Sequence, residues 1–383
     1  MFRLLLALSV ILVPVQSLAC GWFFPAVTAE PTTMEAQRVL MVWKKESVDV
    51  HVSVRASSVD SDFAWVLPVS DSPTLALGDL DLLDALDMRS RPRIEISSRS
   101  SESFGPRGSF CSHDSAAAGG EFGSPAQASS LQVESGRLGD YEYDIVKAET
   151  TEEMIAWLEE DGYSVPANAH ERLSPYVAAS MSFVWVKLSA DSALKSLTDL
   201  QPLILTVPRS INSTLSFPLA LSAGSASETM STQFFILADK RYRATNYPST
   251  DLTQVAHRVW EERFNFESYE QIIDSMTDES GGRLMVTEFA GDLRGDGVLE
   301  PAVQALLSDD TFYLTRLSAR TRSEELRDVT ITYANEAPDV SNFAVAEAPE
   351  GEEEAANLPL LVLAILAGLW GWRRRHEAPA NGH

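Results

Sequence analysis

Two uncharged apolar runs bracket this chain and confine any water-soluble fold to what lies between them. At the N-terminus, Arg3 precedes an apolar stretch from Leu4 to Val15, and Ser17-Leu18-Ala19 closes it with a small-x-small pattern. That layout is the secretory signal pattern. Residues 1–19 are therefore expected to be removed, leaving Cys20 as the first mature residue. At the C-terminus, Ala355 to Trp372 carries no charge. As a helix it spans roughly 27 Å, enough for a thin bilayer. Arg373, Arg374 and Arg375 follow at once, and clustered arginines stay on the cytoplasmic side. The expectation is one membrane crossing over 355–372, with the N-terminus outside and residues 373–383 as a cytoplasmic tail. The ending shares its layout with bacterial sorting tails but has no LPxTG or Pro-Glu-Pro motif, so plain anchoring is the expectation.

The chain has 383 residues and a net charge of −25. Without its two ends and an acidic linker at 335–354, the extracytoplasmic part (residues 20–334) is long enough for one large or two ordinary domains. The acidic balance argues against nucleic acid or anionic lipid as partners of that part, because phosphates would be repelled. The only cysteines are Cys20 and Cys111. In an exported chain an even count favours a disulfide. Closing a loop of about 90 residues would stabilise the fold by roughly 4 kcal/mol in the chain-entropy model. Lipidation of Cys20 is the competing fate, although Ser17 stands where a lipoprotein box wants an aliphatic residue.

Periodicity gives the elements. Val48, Val50, Val52 and Val54 alternate with Asp49, His51, Ser53 and Arg55, which marks a strand with one buried face and places His51 on the wet one. Phe63 to Val69 is continuously apolar and suits a central strand. Leu80, Leu83 and Leu86 are spaced as in a helix, stopped before Pro92. Residues 97–130 are rich in Ser, Gly and Ala and read as a flexible insert. Thr150 with Glu153 fits a capping box opening a helix to Asp161, with Gly162 as its stop. Further strands are expected at 182–188, 204–207, 214–221, 233–238, 283–289, 311–317 and 329–333, and helical turns between Leu252 and Met276. A sub-boundary is possible near 200–209, where helices give way to strands. Residues 335–354 have a composition that suits an extended tether. The fold class expected is α+β, mostly antiparallel strands with a few helices.

Motifs for chemistry are sparse. There is no HExxH or CxxC, and His51, His113, His170 and His257 are far apart, so no metal site is expected. The loop from Gly291 to Gly297 lacks the alternating oxygen ligands of a calcium loop. No GxGxxG or GxxxxGK[ST] supports a nucleotide, and no cofactor is expected. No GxSxG elbow exists, while a triad assembled from distant residues leaves no local motif. Glu288 stands in an apolar run, Val286-Thr287-Glu288-Phe289. It is the one weak candidate for a catalytic general acid. The plainer reading puts it on a solvent face or pairs it with Arg316 or Arg320. Trp65, Trp157 and Trp185 read as core.

Several segments together resemble a family of secreted bacterial proteins defined by domain of unknown function 2330. They are Cys20-Gly21-Trp22-Phe23, Asp62-Phe63-Ala64-Trp65-Val66-Leu67-Pro68-Val69, Leu82-Leu83-Asp84-Ala85-Leu86, Tyr143-Asp144-Ile145-Val146, Trp157-Leu158-Glu159-Glu160-Asp161-Gly162-Tyr163, Phe235-Ile236-Leu237-Ala238-Asp239, Val286-Thr287-Glu288-Phe289 and Leu314-Thr315-Arg316-Leu317. The resemblance implies an exported envelope protein, often with a C-terminal span, and supplies no catalytic residues. The function expected is a membrane-tethered envelope protein with a binding or structural role, non-enzymatic, whose partner is an envelope protein or glycan. The alternative is an envelope hydrolase with dispersed catalytic residues.

Overall fold

The computed structural model describes residues 21–57, 63–70, 73–97, 132–188, 199–209, 214–262, 268–295 and 297–347, with the backbone of Gln16 and Ser17. Cys20, Cys111, the insert expected over 97–130 apart from Ser97, the apolar run 355–372 and Arg373, Arg374 and Arg375 lie outside these residues. The expected cystine therefore lies outside them too. Among the described residues, no helix is long and apolar enough to cross a membrane.

Alternation builds the centre of the fold. β3 (Met34–Trp43) and β4 (Ser47–Ala56) pair antiparallel. Val48, Val50, Val52 and Val54 all point into one core, as a period of two requires. β4 continues to β11 (Leu203–Pro208) and β11 to β6 (Thr74–Leu77). On the other side β3 pairs in parallel with β13 (Ala226–Ala238), followed by β17 (Tyr313–Arg322), β16 (Met285–Asp292) and β15 (Ser249–Asp251). The result is an eight-stranded sheet in the order β15-β16-β17-β13-β3-β4-β11-β6. It draws strands from both sides of residues 200–209, and β11 lies inside it.

A second, wholly antiparallel sheet has the order β2-β5-β10-β9-β8. Its strands are β2 (Trp22–Pro25), β5 (Phe63–Val69), β8 (Gln132–Leu138), β9 (Tyr141–Lys147) and β10 (Ser182–Leu188). The apolar run of β5 is buried throughout. A third sheet joins β1 (Gln16–Ser17), β12 (Thr214–Phe217), β18 (Val329–Tyr333) and β14 (Tyr242–Ala244). β1 lies within the expected leader, so cleavage after Ala19 would remove it.

One core is shared by these three sheets. Trp43 meets Tyr242 with ring centroids 4.5 Å apart, and Phe217 meets Phe234 edge-on at 5.1 Å. Each such fully buried side chain contributes about 1.5–3 kcal/mol of transfer free energy. The opposite face of the five-stranded sheet is covered by α2 (Thr151–Glu160) and α3 (Ala169–Ala178). There Met154, Leu158 and Leu173 pack with Trp22, Phe24 and Trp185. The capping box of Thr150 and Glu153 is formed as expected. The outer face of the large sheet is covered in part by α1 (Leu80–Ser90) with α7 (Pro301–Gln304), over β16 by α5 (Leu252–Glu261) and over β17 by α6 (Tyr269–Glu279). The layers run helix, sheet, sheet, helix. This is an α+β architecture with mostly antiparallel strands.

Three expectations are corrected. The strand expected over 214–221 stops at Phe217, because Pro218 supplies no ladder donor, and α4 (Leu219–Ser222) follows. The segment read as the start of a free tether is docked as far as Ala346. β19 (Phe343–Ala346) pairs in parallel with β7 (Arg93–Ile96), and Val340 and Ala346 are buried against α5. Backbone pairing needs no apolar composition, only a strand with a free edge. His51 is not wet. It lies beside Leu40 and Ile204 on the neighbouring strands and is only 5% exposed. Desolvation lowers its pKa to about 4, with Asp49 opposing the shift and Lys44 adding to it.

Candidate functional site

The outer face of the large sheet can be read in rows, because paired residues on adjacent strands point the same way. One row runs Arg316, Phe235, Leu40, His51 across β17, β13, β3 and β4. Phe235 and Leu40 pack under Leu82, Leu83 and Leu86 of α1. The next row runs Ser318, Gln233, Arg38, Ser53, and the one after it Arg320, Ser231, Ala36, Arg55. On β13 and β3 the face thus switches from apolar and covered, at Phe235 and Leu40, to polar, at Gln233 and Arg38.

A groove of about 370 Å³ lies over these polar rows. Its floor includes Ser53, Ser231 and Gln233, and α1 contributes Asp84 and Asp87. Arg38 Nη1 donates to Asp84 Oδ1 at 2.5 Å, and Arg55 forks onto Asp199 at 3.1 and 3.2 Å. The Arg55 side chain is about half exposed (51%), and such exposed pairs contribute about 0–1 kcal/mol each to stability. Arg320 reaches the floor from β17. It donates to Ser231 Oγ at 3.1 Å while its other nitrogens fork onto Asp274 of α6 at 2.7 and 2.9 Å. Among the described residues, no aromatic ring lines the groove.

Beneath one end lies a buried ionic network. Glu288 is the extra residue of a β-bulge in β16, since the register shifts between Thr287 and Phe289. A bulge re-aims a side chain, and here it aims the carboxylate at β17. Arg316 Nε donates to Glu288 Oε2 at 2.5 Å. The Tyr269 hydroxyl and Ser318 Oγ both donate to Oε1, at 2.9 and 2.5 Å. Arg316 Nη1 pairs with Asp87 Oδ1 at 2.7 Å and reaches Ser90 Oγ at 3.4 Å. Glu288 and Arg316 are 2% and 3% exposed. Asp87 therefore belongs to both features, lining the groove and closing the network. Burial, reinforced by the Glu288 charge, pushes the Tyr269 hydroxyl above its ordinary pKa, so it stays a donor.

A family model described as an uncharacterised protein conserved in bacteria, domain of unknown function 2330, matches residues 14–332. The chain belongs to the DUF2330 family. The match runs from Pro14 into β18, across all three large sheets. No curated protein and no solved structure matches the chain significantly.

Of the residues singled out in this DUF2330 sequence, the fold brings Glu288 and Arg316 together, the pairing that was the plainer alternative to catalysis. Cys20 and Cys111 fall outside the described residues, as do Arg373, Arg374 and Arg375. Among the described residues, His170 meets Glu152 at 2.9 Å on the surface. Asp292 of the glycine-rich loop is held by Arg294 at 2.6 Å. Sequence reading missed Asp87, Tyr269, Arg55 and Asp199. Asp199 lies 144 residues from Arg55, so no local pattern links them. The one available signal was the outward phase of Arg55 in the valine alternation.

Proposed function

We propose that this protein is an exported, non-enzymatic binding protein of the bacterial envelope, held by a membrane span at 355–372, and that the groove over β13, β3 and β4 docks a charged polar segment of an envelope protein. The observation that carries this is the switch from apolar to polar rows on one sheet face. Folding gains from covering that face, as α1 does one row away, yet Arg38, Gln233, Ser231 and Arg55 of the next two rows are polar and keep some exposure.

The rim presents both signs of charge, so an approaching segment can exchange partners with the Arg38–Asp84 and Arg55–Asp199 pairs. This favours a charged peptide. Glycan sites commonly use a stacking ring, and the groove supplies none, so the peptide is preferred to the glycan. Catalysis through Glu288 gains no support. Both its oxygens accept from protein donors, and it has no open approach.

The test is a crosslinking pull-down of the tagged full chain from its native envelope, beside the R38A/R55A double variant. The expected result is one enriched partner recovered by the native chain and lost from the variant. Equal recovery by both, or recovery of the protein alone, would count against the groove. The two arginines form exposed pairs, so the variant should keep its fold.

A further inference from the structure

A second cavity, of about 310 Å³, lies where β14 and the segment after β18 meet β15, β16 and the start of α5. Its walls differ in character from those of the groove. Arg241 and Arg243 line it with the hydroxyl residues Ser249, Thr250 and Thr287 and the amide of Gln254. On a chain of net charge −25, two arginines in one cavity form a local positive field.

The donors are only partly used. Arg241 Nη1 donates to the Pro338 carbonyl, and Nη2 reaches Thr287 Oγ1 at 3.5 Å. Arg241 Nε is buried with no hydrogen-bond partner among the described residues. Arg243 is exposed on β14 and forms no ion pair among the described residues. The nearest carboxylate, Asp251, turns to the helix. It accepts from the amides of Thr253 and Gln254 at 3.0 and 3.2 Å. The helix amides are thereby occupied, so the arginines and hydroxyls are the available donors, and the lining carries one net positive charge.

We propose that this cavity is a binding site for a small oxyanion, the phosphate or carboxylate group of a soluble solute. Arg241 would present its fork from the wall and Arg243 would close over the anion from the strand edge, the geometry in which guanidinium binds such groups bidentately. The site is independent of the groove and does not rest on its reading.

The test is calorimetric titration of the purified full chain with inorganic phosphate and, separately, with citrate, at fixed ionic strength against sodium chloride. Two variants accompany it: R243A, which removes an exposed side chain with no partner to lose, and K147A, which removes an exposed positive charge on the other sheet. The expected result is saturable binding of at least one oxyanion. It should be weakened roughly ten- to a hundredfold by R243A, the loss of a charge-assisted pair, and be unaltered by K147A. Binding of phosphate alone would assign a tetrahedral anion, and binding of both would admit carboxylates. The proposal is overturned if neither anion binds beyond the chloride baseline, or if R243A and K147A weaken binding equally.

Discussion

Burial of His51 should make the stability of this fold depend on pH between 6.5 and 4. The ring sits in the covered row beside Leu40 and Ile204, and burial holds its pKa at about 4 against 6.5 in an unfolded chain. Below pH 6.5 the unfolded chain takes a proton that the folded chain refuses. The contribution is therefore complete above pH 6.5 and is lost as pH falls toward 4. Each such pH unit costs about 1.4 kcal/mol for one proton, so His51 alone should remove about 3 kcal/mol over the window. The perturbation is His51→Gln, which keeps a neutral polar side chain and cannot titrate. Urea unfolding of both proteins at pH 7, 6, 5 and 4 gives the difference directly, since carboxylates titrate alike in both and cancel. The native protein should lose about 3 kcal/mol more than the variant between pH 7 and 4. Parallel curves, agreeing within about 0.5 kcal/mol, would refute the burial argument.

Three further outcomes follow from the same geometry. Glu288→Gln leaves Arg316 with Asp87 as its only carboxylate. Losing one member of a buried pair costs about 3–5 kcal/mol, and the surviving Asp87 pair brings the expected cost to about 2–3 kcal/mol by urea unfolding; a change below about 0.5 kcal/mol would show that the network does not stabilise the fold. Asp328 has its pKa raised by burial, opposed by hydrogen bonds from Tyr176 and the Ala220 amide, both to Oδ1. The raised folded pKa makes its contribution favourable in acid and lost as pH rises through it. Asp328→Asn keeps an Oδ1 acceptor, so it should gain stability relative to the native chain from acid to neutral pH; a gap that is constant or narrows would reverse that sign. Finally, ending the chain after Glu354 should move the protein from the membrane pellet to the soluble extracytoplasmic fraction, and retention in the pellet would disprove the anchor.

Local patterns in the sequence carried the elements but not the layers. The alternation of Val48 to Val54 gave β4 its inner face, because period two is a property of the strand itself. The Thr150–Glu153 box gave the start of α2 for the same reason. Whether an outward face meets water depends on what another part of the chain lays over it. His51 was misread on that account: it is 5% exposed between Leu40 and Ile204, and one strand's pattern does not report what lies over it. Glu288 posed the reverse difficulty. Its apolar neighbours Val286 and Phe289 marked it as unusual, but its partners come from α6 and β17, and a bulge decides where it points. Residues 335–347 were read by composition alone, which is blind to the backbone pairing that docks β19 on β7. The groove was the least legible feature. It exists only where β13, distant in sequence, places polar residues in the same rows as those of β3 and β4.

The central claim, that this groove docks an envelope partner, is tested most directly by a photo-crosslinking residue placed at Gln233 on its floor. A control residue goes at the exposed Glu159 on α2, on the opposite side of the fold. Both full-length proteins are irradiated in the native envelope and their adducts sequenced. The account predicts one discrete protein adduct from position 233 and none of that mass from position 159. No adduct at 233, or the same adduct from both positions, would contradict it.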